Sequence, residues 1–221
     1  MKRSKITILL AIVLGMTFHS CLDLEPQDQL GGKNMWTSVN DYKQFANTFY
    51  SWTRDFSSVV YDGTHSDKRS DLITYQSYNE FSRGINSIPS SDANYTDNYK
   101  HIRRTNLLLQ NAEAYAKPED IKQYIGEAYF FRAYSYFDLL QLYGDVIITK
   151  KPLDITDPEM KVKRNDRSEV VDLIIDDLNH AVENLPAFKE LTTEEEGRIS
   201  KEGAQAFLSR VALYEGTWQK S

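Results

Sequence analysis

The sequence predicts an all-α, mostly helical protein with a long irregular loop insert and little or no sheet. Apolar residues recur at helical spacing through most of the chain after Trp36. Small residues stand where neighbouring helices would cross, and these are Ala128, Ala133, Ala204, Ala206 and Ala212. Because small side chains allow helices to pack closely in pairs, these two observations favour antiparallel, tetratricopeptide-like helical hairpins.

The N-terminus has the features of a secretory signal peptide. A basic head precedes an apolar run at residues 6–18, which is too short to span a membrane comfortably. The only cysteine, Cys21, follows this run, and bacterial lipoprotein processing acylates a cysteine at such a cleavage point. We therefore expect a signal peptide at residues 1–20, a lipid on Cys21, a tether at residues 21–35 and a helical domain at residues 36–221.

The charge balance argues against nucleic acid as a partner. The chain has 26 basic and 32 acidic residues, and removal of a signal peptide containing Lys2, Arg3 and Lys5 makes the remainder more acidic still. Such a chain offers no basic face that would displace phosphate counterions. No later stretch is apolar over the roughly twenty residues that a membrane span needs, so membrane attachment is expected through the lipid on Cys21.

Two helices are predicted on either side of a polar insert. Ser38 or Asn40 would cap the first, which has an apolar face. That face comprises Tyr42, Phe45, Ala46, Phe49 and Tyr50. Residues 57–91 show no sustained period and are rich in polar residues and glycine, which is typical of an irregular loop. A second helix is expected from Ala93, with a stripe formed by Tyr95, Tyr99, Ile102, Leu108, Leu109, Ala112 and Tyr115.

Residues 118–143 predict a helix that is apolar on nearly all sides and begins with Pro118, a residue suited to a first helical turn. Such a helix must be covered on several faces, so Glu127 and Arg132 are expected to be buried or interfacial partners. Gly144 would close the helix in a left-handed conformation. We expect the Val-Ile-Ile stretch after it to leave as an extended strand and to serve as core architecture.

Two further amphipathic helices complete the prediction. Ser168 is expected to cap the first, whose end is limited by Pro186. Ser200 is expected to cap the second, which Gly216 would end. Because a stack of helical hairpins normally closes with a polar capping helix, we expect the chain to be the N-terminal part of a longer protein.

Motifs for catalysis are not found in the sequence. It has no Gly-x-Ser-x-Gly elbow, no phosphate-binding glycine loop and no dinucleotide fingerprint, so neither a catalytic residue nor a cofactor is predicted. Four residues of the polar insert could in principle hold a metal, namely Asp62, His65, Asp67 and Asp71. Mixed ligands at irregular spacing in a polar loop are more often solvated, so no metal site is predicted.

A series of sequence blocks resembles one known family. In chain order these are the lipoprotein cysteine, LDLEPQD, the Trp36–Tyr42 segment WTSVNDY, YKHIRRTNLLLQNAE, GEAYFFRAYSYFDLLQLYGDVIITKKPL, RSEVVDLIIDDLNHAVENLP and GRISKEGAQAFLSRVALYEGTW. Their order and spacing are similar to those of the SusD/RagB family of outer-membrane lipoproteins. The similarity covers most of residues 21–218.

The resemblance implies a lipid-anchored protein on the outer face of the outer membrane. Members of this family sit as a lid over a TonB-dependent transporter barrel, capture oligosaccharides or other nutrients, and hand them to the barrel. They bind ligands and are not enzymes. The resemblance therefore implies two partners, which are the transporter and the nutrient.

The same resemblance directs attention to the loop that leads into the helix near Tyr95. In the family, rings that stack on sugars tend to come from variable loops, while neighbouring polar groups bond the hydroxyls. The ligand-binding candidates are Tyr75, Tyr78, Phe81, Arg83, Asn94 and Tyr95, with Asn79 as a further polar group. The alternative for each ring is simple packing of the insert onto the helices.

Two functions stay open on sequence grounds. The first is a cell-surface lipoprotein that captures nutrients for a transporter. The second is a helical-repeat scaffold lipoprotein that binds a protein or peptide in its concave face. The ordered family resemblance favours the first.

Overall fold

Helices dominate the computed structural model, which describes residues 35–53, 84–85, 87–154 and 156–216. Within these residues the α-helices are α1 (Val39–Asn47), α2 (Ala93–Glu113), α3 (Lys122–Tyr143), α4 (Arg167–Asn184) and α5 (Lys201–Glu215). Short 3-10 turns occur at Thr48–Trp52, Pro118–Ile121, Pro158–Lys161, Phe188–Glu190 and Thr193–Glu195. The predicted all-α fold class is confirmed.

Consecutive long helices run antiparallel, as their side-chain contacts show. Between α3 and α4, Arg132 pairs with Asp177, while Arg167 at the start of α4 reaches the carbonyl of Leu140 near the end of α3. Between α2 and α3, Asn106 binds Arg132 and the earlier Asn98 binds the later Asp138. The chain therefore folds as successive helical hairpins.

Several helix ends lie where the sequence predicted them. Ser38 caps α1, because its hydroxyl accepts from Asp41 N–H while the Asp41 carboxylate accepts from Ser38 N–H at 2.8 Å. The Ser200 hydroxyl accepts from Gly203 N–H at the start of α5. Gly216 ends α5 in the left-handed region, with φ +66° and ψ +24°.

The starts of α3 and α4 differ from the prediction. The first turn after Pro118 is a 3-10 turn, closed by Asp120 N–H bonding to the Lys117 carbonyl, so the α-helix begins only at Lys122. Helix α4 is capped by Asp166 and not by Ser168. The Glu169 carboxylate accepts from Asp166 N–H at 3.1 Å, which fixes the helix start two residues earlier than predicted.

Helix α3 is the centre of the core, and its predicted burial on nearly all sides is confirmed. Both of its charged candidates are buried and paired. Arg132 forms two bonds with Asp177, at 2.8 and 2.6 Å, and a third at 2.8 Å with Asn106. The fully buried Glu127 accepts two bonds at 2.7 Å from Arg198. The two ion pairs tie α3 to α4 and to the segment before α5, and the bond to Asn106 ties it to α2.

Small residues at helix crossings follow the prediction with one exception. Ala128, Ala133 and Ala204 are fully buried and Ala212 nearly so. Ala206 is exposed, because it lies on the outer face of α5. A residue that was not predicted, Gly126, brings α3 close to the end of α4, since a Cβ there would lie 2.9 Å from Leu185 Cγ and 3.0 Å from Leu185 N.

The predicted strand after α3 is wrong. Gly144 does take a positive φ of +69°, but its ψ of −110° is outside the left-handed helical region. In the described part of the chain, Val146 forms a single antiparallel bridge with Asn165, and no strand follows. The backbone of residues 147–153 is paired instead with side chains, as described below. Among the described helices, none is long and apolar enough to cross a membrane.

Candidate ligand-binding cleft

Two tyrosine hydroxyls hold the segment at residues 147–153, which we call the exit segment. Tyr99 of α2 donates to the Ile147 carbonyl and accepts from Ile147 N–H, both at 2.9 Å. Tyr136 of α3 does the same with Thr149, donating at 3.2 Å and accepting at 2.7 Å. Alternate residues of an extended chain face the same side. The two hydroxyls therefore replace the neighbouring strand that a sheet would supply.

Further side chains bond to the backbone of the exit segment. Asn106 Nδ2 donates to the carbonyls of Thr149 and Lys151 at 2.9 and 3.3 Å. Asn165 Oδ1 accepts from Ile148 N–H, and Arg103 Nε donates to the Leu153 carbonyl. Because buried backbone groups must be paired, these bonds explain how an apolar Val-Ile-Ile stretch stays extended without a sheet.

A cleft of about 470 Å³ opens between the first half of α2 and the exit segment. Its α2 wall is formed by Tyr95, Thr96, Tyr99, Lys100 and Arg103. The opposite wall is formed by Ile147, Thr149, Lys151 and Leu153. The surface is mainly apolar, with charged and hydroxyl groups at its edges. This combination of apolar walls and a few polar groups is typical of small-molecule sites, and we call it the Tyr95 cleft.

Tyr95 itself is half-buried and held by two other rings. Its ring centroid lies 4.8 Å from that of Tyr99 and 5.2 Å from that of Tyr143, the latter edge-on at 88°. Tyr143 is fixed in turn, since its hydroxyl donates to Asp92 at 2.6 Å, and Asp92 caps α2 by accepting from Asn94 N–H. The ring of Tyr95 is thus pre-positioned at the start of the helix.

A second, smaller pocket of about 150 Å³ lies beside Asn94. It is lined by Trp52, Ala93, Asn94, Asp97, Asn98, His101, Tyr134 and Asp138. Trp52 stacks on His101 with a centroid distance of 4.1 Å, and its ring also lies 4.7 Å from that of Phe49. Burial lowers the pKa of His101 to about 4, so this ring is neutral at neutral pH. The charged side chains of this pocket are therefore the carboxylates.

Comparison with known proteins decides the family. A family profile described as "Starch-binding associating with outer membrane" matches residues 22–213, which is most of the chain. The chain belongs to the SusD-like family. A SusD-like protein of Formosa agariphila is 28% identical over 233 residues, covering 96% of this chain and 42% of that protein. A second SusD-like protein of the same bacterium is also 28% identical and covers 100% of this chain and 45% of its own length.

Solved structures of SusD-like proteins share the fold. A SusD-like protein from Bacteroides fragilis matches with a TM-score of 0.71 at 25% identity, over 88% of this chain and 38% of that one. A laminarin-binding SusD-like protein matches with a TM-score of 0.63 at 26% identity, over 82% of this chain and 41% of that one. The chain thus spans less than half the length of these relatives.

The described structure separates the two predicted ligand residues that it contains. Tyr95 lines the larger cleft, whereas its neighbour Asn94 lines the smaller pocket. Adjacent helical positions point in different directions, which explains why the two do not converge. Tyr75, Tyr78, Phe81 and Arg83, together with Asn79, lie outside the described residues.

Predictions about the lipid and a metal also concern residues that the structure does not describe. Cys21 lies outside the described residues, as do the four metal candidates of the insert, Asp62, His65, Asp67 and Asp71. Within the described ranges, no group of three or more His, Cys, Asp or Glu side chains is placed to hold a metal ion.

Sequence reasoning missed one wall of the Tyr95 cleft. The exit segment was expected to be core architecture, but Ile147, Thr149 and Lys151 line the cleft. The α2 wall carried a readable signal, because Tyr95, Tyr99 and Arg103 follow i, i+4 and i+8 and share one helix face. No comparable pattern marks the exit segment, whose position depends on partners up to about fifty residues away in the chain.

Proposed function

We propose that this SusD-like protein captures oligosaccharides at the cell surface and delivers them to a TonB-dependent outer-membrane transporter. The observation that carries the binding half of this proposal is the Tyr95 cleft, where aromatic rings and hydrogen-bonding side chains meet in one open groove. Family membership supports it, since the family profile is described as starch-binding and outer-membrane associated. A structural neighbour described as laminarin-binding supports the same class of ligand.

The cleft has the two chemical components that a sugar needs. The rings of Tyr95 and Tyr99 present apolar surface on which the C–H face of a pyranose can stack. Thr96, Lys100 and Arg103 bring hydroxyl, ammonium and guanidinium groups to the same wall, where they can bond ring hydroxyls. The half-buried position of Tyr95 reduces the entropy lost when a ligand binds.

Tyr75, Tyr78, Phe81, Arg83 and Asn94 remain proposed ligand residues. The first four come from the insert, and Asn94 lies in the first turn of α2, beside Tyr95. In this proposal these residues bind the sugar together with the residues of the cleft. The ligand surface of the whole protein would extend beyond the cleft.

The expected route to the membrane is a lipid on Cys21. In this proposal residues 1–20 are removed, residues 21–35 form a lipidated tether, and residues from 36 onward form the binding domain facing the cell exterior. Several acyl chains on one residue would give stable anchoring where one chain is marginal. Metabolic labelling with a fatty-acid analogue should mark the wild-type protein and should not mark a Cys21→Ser variant.

Affinity electrophoresis in gels that contain single polysaccharides tests the binding function. At least one neutral or charged polysaccharide should retard the protein relative to a gel without polysaccharide. A non-binding protein of similar charge controls for sieving. If no polysaccharide retards the protein and it co-purifies only with a soluble protein partner, the scaffold function replaces this one.

Delivery of the oligosaccharide requires a transporter as a second partner, and this half of the proposal has a separate test. Tagged protein extracted gently from the outer membrane should co-purify with a barrel protein of the TonB-dependent class. Deletion of that barrel should abolish uptake of the polysaccharide while surface binding persists. Continued uptake without any such barrel would contradict the delivery half of the proposal.

A further inference from the structure

The charged groups that line the Tyr95 cleft all have the same sign. They are Lys100 and Arg103 on the α2 wall and Lys151 on the exit segment. No carboxylate is among the residues that line this cleft in the described part of the chain. The two walls therefore present cations to each other across an apolar groove.

This cationic lining is a local property and does not reflect the charge of the chain. The whole sequence carries a formal net charge of −6. The neighbouring pocket beside Asn94 has the opposite character, because Asp97 and Asp138 line it and His101 is neutral there. A concentration of three cations in one groove is thus a distinguishing feature of the Tyr95 cleft.

The carboxylates paired with Lys100 and Arg103 are outside the cleft lining and well exposed. Lys100 Nζ lies 2.8 Å from Asp97, and Arg103 Nη2 lies 3.2 Å from Asp154, whose side chain is 78% exposed. Exposed ion pairs of this kind contribute little to stability, about 0–1 kcal/mol. A ligand anion can therefore share or replace these partners at small cost.

Arg103 is held in an orientation that suits the binding of an anion. Its Nε donates to the Leu153 carbonyl at 3.1 Å, which fixes the guanidinium between α2 and the exit segment. The planar guanidinium still presents its remaining N–H groups, and such groups bind carboxylate and sulfate oxygens with good geometry.

We infer that the Tyr95 cleft selects oligosaccharides that carry acidic groups, either carboxylates or sulfate esters. This inference rests on the proposed glycan-binding function and narrows its ligand class. Tyr95 and Tyr99 stack on a sugar ring, while Lys100, Arg103 and Lys151 bind anionic groups on either side of it. Carboxylates and sulfate esters have the same recognisable feature, which is a cluster of anionic oxygens on a sugar.

Calorimetry with matched polysaccharide pairs tests the inference. One pair is dextran and dextran sulfate, and the other is methyl-esterified polygalacturonate and polygalacturonate. The anionic member of at least one pair should bind about tenfold or more tightly at low salt, and the difference should shrink as ionic strength rises. Tighter binding of the sulfate alone, or of the uronate alone, supports the inference and names the group.

A double variant distinguishes the effect of the cations in the cleft from the effect of the net charge of the chain. Lys100→Gln with Lys151→Gln should remove most of the preference for the anionic member, measured as the ratio of the dissociation constants of the two members of a pair. The matched control, Lys122→Gln with Lys201→Gln, makes the same change in net charge outside the cleft lining and should keep the preference.

The results that would overturn the inference differ from those that would overturn the function. Equal binding of both members of each pair, or an unchanged preference in the Lys100/Lys151 variant, contradicts the inference while glycan binding stands. Failure of every polysaccharide to bind contradicts the proposed function itself and removes the basis of the inference.

Discussion

The Tyr99 hydroxyl donates to the Ile147 carbonyl and accepts from Ile147 N–H, with both distances at 2.9 Å. Tyr136 makes the same exchange with Thr149, two residues further along the exit segment. One wall of the Tyr95 cleft is therefore held against the helices by tyrosine hydroxyls. The stability of the fold and the shape of the cleft depend on the same hydrogen bonds.

Tyr136→Phe should lower the free energy of unfolding by about 1–3 kcal/mol, because it leaves Thr149 N–H without its partner and the Thr149 carbonyl with Asn106 alone. Urea denaturation followed by far-UV circular dichroism measures this change. Tyr129→Phe is the matched control, since the Tyr129 hydroxyl makes no hydrogen bond to any residue that the structure describes. Equal stability of the two variants would contradict the role given to Tyr136.

Loss of the buried pair between Arg132 and Asp177 should be severe when only one partner is removed. Arg132→Met should cost about 3–5 kcal/mol, because it leaves the carboxylate of Asp177 buried without its counter-ion. The double variant Arg132→Met, Asp177→Leu should recover much of that loss. Lys122→Met breaks an exposed pair with Glu119 and should change stability by less than about 1 kcal/mol. Additive losses in the double variant would show that the two residues are not coupled.

Two glycines should respond oppositely to substitution by alanine. Gly126→Ala should destabilise by about 1–3 kcal/mol, because the new Cβ meets the backbone nitrogen of Leu185 at 3.0 Å. Gly203→Ala meets the flexible end of Ile199, and alanine favours the helix by about 0.5–1 kcal/mol, so stability should hold or rise. Thermal unfolding of both variants compares them directly. A larger loss at Gly203 than at Gly126 would contradict the close helix approach described here.

Alkaline pH should destabilise the fold through Tyr136. Burial raises the pKa of this hydroxyl above its ordinary value of 10.0. Below pH 10 the hydroxyl is protonated in both states, so its contribution is fully present, whereas above pH 10 the unfolded chain releases the proton first and stability falls. The free energy of unfolding should therefore decline above about pH 10 more steeply in the wild type than in Tyr136→Phe. Parallel slopes from pH 8 to 11 would contradict this.

The features of the fold that could be predicted are those that depend on residues close together in the sequence. Ser38, Ser200 and Gly216 act within four residues of their own positions, so the sequence around them contains the whole interaction. Serine is a common helix cap, which is why Ser168 was predicted, but the Glu169 carboxylate bonds to Asp166 N–H and the helix starts earlier. The expected strand failed for a different reason, because Tyr99 lies 48 residues from Ile147 and no local pattern reveals that pairing.

The residues of the candidate site also divide into those that the local sequence predicts and those that depend on distant partners. Tyr95 was predicted, and Tyr99 and Arg103 share its helix face at a spacing that can be read from the sequence. The opposite wall could not be predicted, because Thr149 and Lys151 reach the cleft only through bonds to Tyr136 and Asn106. The cationic character of the cleft likewise emerges only when Lys151 is brought opposite Lys100 and Arg103.

Calorimetric titration of a Tyr95→Ala variant tests the central claim most directly. With a polysaccharide that binds the wild type, the dissociation constant should rise about tenfold or more, because the stacking ring at the start of the α2 wall is lost. Tyr214→Ala is the matched control, since this ring is 52% exposed on α5 and does not line the cleft, and its affinity should stay within about twofold of the wild type. Unchanged affinity in Tyr95→Ala, with the fold intact by circular dichroism, would contradict the assignment of the cleft as the glycan site.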